Sequence, residues 1–134
     1  MAIIDHIGIA VNDFSEAGRI FKLLNLTASE EREEVAEQQV NTWSFRAGAS
    51  EVELLVPSGS ESPIAKYIEK KGVGIHHIAI RVKDLAGEIA RLKSAGIKMI
   101  DERPRKGAGV KLIAFIHPQS TGGILIELTQ KSGK

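Results

Sequence analysis

Two histidines and two glutamates recur at matching places in this chain of 134 residues. His6 lies in DHIGIAV and His77 in HHIAIRV, and the stretches align as x-His-Ile-small-Ile-x-Val. Glu53 and Glu127 follow the same logic, since Val52-Glu53-Leu54 resembles Ile126-Glu127-Leu128. Imidazole nitrogens combined with carboxylate oxygens suit a first-row divalent ion that keeps open positions. Each residue taken singly has a plainer reading. A strand histidine is most often a structural hydrogen-bonder, and a strand glutamate usually sits on the solvated face. Glu51, on the same face as Glu53, leaves that plainer reading open for its strand. Glu127 resists it, because a lone carboxylate among aliphatics costs several kcal/mol to desolvate unless it is paired. Recurrence of His and Glu in both copies favours the metal site.

The elements around these residues also come in two copies. Strand alternation puts Ile7, Ile9 and Val11 on one face and His6, Gly8 and Ala10 on the other. In the second copy Ile78, Ile80 and Val82 share a face with His76, while His77, Ala79 and Arg81 share the opposite one. His77 is therefore the equivalent of His6, and His76 is expected to pack at a helix-side edge. The aliphatic face should lie under a helix, and the His-small face should leave room above the sheet. A helix start follows each strand, with Asp13 and Asp84 at the expected N-cap and Glu16 three residues after Asp13, close to a capping box. Leu85, Ile89 and Leu92 recur at helical spacing, and Gly96 stops that helix. Strand-like segments then follow: NTWSFRA and EVELLVP in the first half, VKLIAFIHP and GILIELT in the second. Ser62 before Pro63 and Gly72 at the end mark SESPIAKYIEKKG as a short connecting helix.

The expected fold is α+β: two paired βαβββ modules forming a cupped mixed sheet around a metal site. It makes one domain over 1–134, with module 1 at about 1–58, the connecting helix at about 62–72 and module 2 at about 73–130. A formal charge of +1 gives no basic excess for counterion-driven nucleic-acid binding. No apolar run reaches the roughly 20 residues of a membrane span, and the N-terminus reads as a strand rather than a signal peptide. The absence of cysteine excludes disulfides, thiolate metal sites and thiol nucleophiles, and fits a cytoplasmic setting. His117, before Pro118, is read as structural. TGG at 121–123 reads as a turn, and Trp43 with Phe45 as core.

The pattern resembles the vicinal oxygen chelate superfamily, and within it the methylmalonyl-CoA epimerases over nearly the whole chain. DHIGIAV, AEQQV at 36–40, ELLVP at 53–57, SPIAKYIEKKGVGIHHIAI at 62–80, IDERPRKGAG at 100–109 and HPQSTGGILIEL at 117–128 carry the resemblance. It implies His6, His77 and Glu127 as metal ligands and Glu53 as a fourth, at a position where some relatives have glutamine. It also implies Glu37 and Glu127 as the two catalytic carboxylates, although this chain reads AEQQ where Pro-Glu-x-Gly is commoner. The implied activity is epimerisation of methylmalonyl-CoA in propionate metabolism, through two-base removal and return of the α-proton. The implied cofactor is a divalent ion, cobalt first, with manganese, nickel, zinc or iron as alternatives. The implied partners are an acyl-CoA substrate and a second copy in a homodimer. RPRKGAGVK, 103–111, offers cations and a Gly-Ala-Gly turn for the substrate, or is an ordinary β-turn loop. A glyoxalase I-type lactoylglutathione lyase and a non-catalytic small-molecule binder are the rival readings.

Overall fold

Alternating aliphatics and punctuating glycines produce the following order: β1 (Ile3–Ala10), α1 (Ser15–Leu23), β2 (Thr27–Ala28), β3 (Glu33–Val35), β4 (Val40–Ala47), β5 (Ser50–Pro57), α2 (Pro63–Lys71), β6 (Gly74–Arg81), α3 (Leu85–Ser94), β7 (Arg105–Lys106), β8 (Lys111–Ile116) and β9 (Ile126–Lys131). The structure is a computed structural model and describes residues 2–30, 32–107 and 109–131. The chain divides into two compact units, His6–His76 and Met1–Asp5 with His77–Lys134. Among the described residues, no helix is long and apolar enough to cross a membrane.

In the first unit β1 runs parallel to β5, and β4 pairs antiparallel with β5. The short β2 and β3 both pair antiparallel with β4. Val11, Trp43, Phe45 and Leu54 form the core on one face, packed against Phe14, Ala17 and Phe21 from the α1 region. This is the aliphatic face expected under a helix, and Trp43 and Phe45 lie in the core as anticipated. On the other face Ala10, Val40 and Leu55 pack against Ile64, Tyr67 and Ile68 of α2. The Ser62 side chain caps α2 by accepting from Ile64 N at 3.0 Å, Pro63 occupies its first turn, and Gly72 ends it at φ 84°. The connecting helix of the sequence therefore has both signals that defined it.

The second unit repeats the plan with β6 parallel to β9, β8 antiparallel to β9 and β7 antiparallel to β8. Leu85 and Ile89 of α3 pack with Met99, Ala114, Ile116 and Leu128, and Ile80 and Val82 join them. Asp84 caps α3 by accepting from Gly87 N at 3.1 Å, and Gly96 follows the helix at φ 86°. The two helices differ at their starts. Asp13 does not occupy the N-cap of α1; Phe14 does, without a side-chain cap bond. Asp13 instead accepts from Ser15 N at 2.8 Å, an Asx-type turn one residue earlier.

At the N-terminus, residues 1–5 group with the second unit. The buried Asp5 carboxylate holds them there, receiving Arg81 Nε at 3.0 Å and Lys111 Nζ at 2.7 Å. Two cations on one buried carboxylate offset its desolvation cost.

Candidate metal centre and active site

Each unit carries one buried histidine–glutamate pair. In the first unit His6 Nε2 lies 3.4 Å from Glu53 Oε1, with side chains 4% and 11% exposed. The β1–β5 register sets Gly8 beside Glu53, so His6 stands two residues along the same face. In the second unit His77 Nε2 lies 3.0 Å from Glu127 Oε1, both side chains 6% exposed. Ala79 is the register partner of Glu127, as Gly8 is of Glu53. The small residue between histidine and glutamate keeps a side chain from filling the gap, as the His-x-small pattern requires.

The surroundings sort functional from structural candidates. Glu51 pairs across β4–β5 with Arg46, whose Nη2 is 2.8 Å from Glu51 Oε2. It serves as the surface residue of that strand, and Glu53, two residues on, is buried. His76 meets Tyr67 of α2 edge-on at 4.8 Å, while Tyr67 Oη donates to Ile75 O at 2.7 Å. His117 Nδ1 accepts from Gln119 N at 3.0 Å and caps a 3-10 turn, consistent with a structural role. The TGG segment is tied by Thr121, whose Oγ1 accepts from Ile124 N at 3.1 Å.

Glu37 sits apart from these pairs in exposure, on the 3-10 turn Ala36–Gln38 at the surface. Gln39, at the place where the family pattern has glycine, adopts φ 53° and ψ 49°. The turn geometry that glycine would favour is therefore present with glutamine. In the RPRKGAGVK stretch, Arg105 and Lys106 form β7, and Ala108 lies outside the described residues. Arg105 Nε is 3.0 Å from Asp101 Oδ1, and its guanidinium lies 5.7 Å from the Phe115 ring centroid.

Phe115 is a wall residue that sequence reasoning did not single out. It is the β8 partner of Glu127, and its ring meets His77 edge-on at 5.7 Å. Thr129, two residues beyond Glu127 on the same face, is 1% exposed, and its Oγ1 has no hydrogen-bond partner among the described residues. Alternation from Glu127 would have found Thr129; only the β8–β9 register reveals Phe115.

The donor set suits a metal. His6 with Glu53 in one unit, and His77 with Glu127 in the other, are each a buried imidazole–carboxylate pair of the kind that ligates such an ion. Two donors at about 2.1 Å from one ion stand roughly 3.0 to 3.4 Å apart at octahedral or tetrahedral angles. The separations of 3.0 and 3.4 Å within the two pairs match those edges.

The glyoxalase/bleomycin resistance protein/dioxygenase superfamily model matches residues 5–115. The uncharacterized protein YqjC of Bacillus subtilis is 40% identical over 97% of this chain and 93% of its own. The human mitochondrial methylmalonyl-CoA epimerase is 34% identical over 95% of this chain and 73% of its own. The chain belongs to the methylmalonyl-CoA epimerase family. A Streptomyces coelicolor methylmalonyl-CoA epimerase variant, solved with 2-nitronate-propionyl-CoA, superposes with a TM-score of 0.90 at 30% identity. That match covers 98% of this chain and 95% of the other. The fold is thus the mixed, curled sheet of this superfamily, whose members commonly bind a divalent metal.

Proposed function

We propose that this chain epimerises C2 of methylmalonyl-CoA with one divalent ion held by His6, Glu53, His77 and Glu127. The observation that carries the reading is the doubled, buried His–Glu pair in a chain of the epimerase family. On this reading both units act as one domain and contribute one pair each to a single centre. When bound, the ion supplies Lewis-acid stabilisation of the charge that develops on the thioester as the α-proton leaves.

The remaining chemistry falls to the chain's own carboxylates. One carboxylate takes the proton from C2, and the C–H electron pair delocalises into the thioester as an enolate. The other carboxylate returns a proton to the opposite face, giving the inverted epimer with no net change in atoms or electrons. Glu127 and Glu37 fill these two roles, each required within hydrogen-bond reach of the proton it handles. Phe115 and Ala79 flank Glu127 in the sheet register, and Glu127 is buried. Burial strengthens every charge interaction there. Arg105 and Lys106 of β7 offer cationic contacts for the acyl-CoA. Cobalt is the expected ion, and a cytoplasmic homodimer in propionate metabolism is the expected setting.

Proton NMR of one methylmalonyl-CoA epimer with cobalt-loaded protein in D2O tests this. Exchange of the α-proton with inversion, abolished by chelation, is the expected result. Absence of exchange with every first-row divalent ion would overturn it. Turnover of a glutathione hemithioacetal instead would assign the glyoxalase I chemistry.

A further inference from the structure

The first unit carries a second concavity on the opposite face of its sheet. Trp43 pairs with Leu54 across β4–β5, whereas Ser44 pairs with Glu53, so Trp43 and Glu53 point to opposite faces. On the Trp43 side, between α1 and the strands, lies a pocket of about 480 Å³ whose lining includes Phe14, Gly18, Arg19, Lys22, Arg32 and Trp43. That volume is within the range of small-ligand sites, about 300 to 1,000 Å³.

Its chemistry is one-sided, because three cations line it and no carboxylate does among the described residues. The Arg32 guanidinium lies 4.2 Å from the Trp43 ring centroid and 5.1 Å from that of Phe14. A guanidinium held against aromatic rings keeps its N–H donors, in the fork geometry that meets a phosphate with two bonds. Lys22 Nζ is also over Trp43, at 4.9 Å. Arg19 precedes Lys22 by three positions on α1, so the two side chains are neighbours on one helix face. Gly18 lets the Trp43 ring lie close against α1, since a Cβ there would stand 2.6 Å from Trp43 Cζ3.

We propose that this pocket binds a pyrophosphate-bearing anion of the nucleoside diphosphate class. Arg32 takes one phosphate through its fork, and Arg19 with Lys22 takes the other. Phe14 supplies apolar surface for the organic part. A free nucleotide and the pyrophosphate of coenzyme A share this chemistry, and the inference stands independently of the epimerase reading because it is tested by binding.

Trp43 is the single tryptophan of the chain and lies in the pocket wall, so its fluorescence reports occupancy. Titration with inorganic pyrophosphate and with ADP should give saturable changes with half-saturation below about 1 mM. Adenosine alone should give none, and Arg32→Gln should weaken both anions at least about tenfold. Because Arg32 is exposed, circular dichroism of that variant should match the parent. Absence of a saturable change with pyrophosphate, or equal binding by Arg32→Gln, would overturn the proposal. Coenzyme A added to the ADP complex separates the sources. Displacement of ADP assigns the pocket to the coenzyme's own pyrophosphate, and simultaneous binding assigns it to a free nucleotide.

Discussion

His77 Nε2 stands 3.0 Å from Glu127 Oε1, and His6 Nε2 stands 3.4 Å from Glu53 Oε1. In both pairs the glutamate's register partner on the neighbouring parallel strand is the small residue two positions after the histidine, Ala79 or Gly8. The repetition is a matter of backbone register rather than of any one side chain. A parallel strand pair with a His-x-small strand and a buried glutamate builds one such pair, and the chain builds it twice.

The two glutamates should not be equally important. On the proposed reading Glu127 combines a ligand role with proton transfer, whereas Glu53 only ligates, and glutamine keeps a carbonyl oxygen for that purpose. Glu127→Gln is expected to lower kcat/KM by about 10³-fold, within the range for loss of a general base or acid. Glu53→Gln is expected to cost less than about tenfold, since it removes a charge but no catalytic step. Epimerase kinetics on both variants, with metal content measured in parallel, decide this. Equal losses would remove the special role of Glu127.

Glu37 offers a sharper readout than a rate. It lies on an exposed turn, and Glu127 is buried. With Glu37→Gln, one carboxylate remains to take and return a proton on a single face. The expected outcome in D2O is exchange of the α-proton in one epimer with inversion lost. Full retention of inversion would show that another group supplies the second face.

Metal removal should also destabilise the fold. If the proposed ion is bound, its donors come together only in the native state, so an ion at about one hundred times its dissociation constant would add about 2.7 kcal/mol. For a domain of this size that corresponds to a fall of about 10 °C in Tm on chelation. Calorimetry with and without EDTA measures it, and an unchanged Tm would argue against a resident ion.

Much of this site was legible because strands have a period of two. That period separated His77 from His76 and placed Gly8 and Ala79 on the histidine face before any register was known. The Ser62-Pro63 start and Gly72 stop defined α2 for an equally local reason. Long-range partners were not legible in this way. Asp5 is joined to Arg81 and Lys111 by pairing between residues 76 and 106 positions apart, which no local pattern encodes. The strands β2, β3 and β7 span only two or three residues, too short to show alternation. The cation-lined pocket draws on residues from Phe14 to Trp43 that share no motif.

The turn that carries Glu37 gives a stability prediction with a known sign. Gln39 holds φ 53° and ψ 49°, the left-handed region, where a Cβ costs an L-residue about 1 to 2 kcal/mol. Replacing it with glycine removes that cost but adds unfolded-state freedom, worth about 0.4 to 1 kcal/mol in the opposite direction. The Gln39 amide nitrogen donates to Ala36 O at 3.1 Å, a backbone bond that glycine retains. Gln39→Gly is therefore expected to stabilise the protein by up to about 1.5 kcal/mol, read as a rise in the urea midpoint at constant m-value. Gln39→Val should move it the other way by more, because a β-branched side chain fits this region worst. A loss of stability in the glycine variant would mean that the glutamine side chain, rather than the backbone, holds the turn.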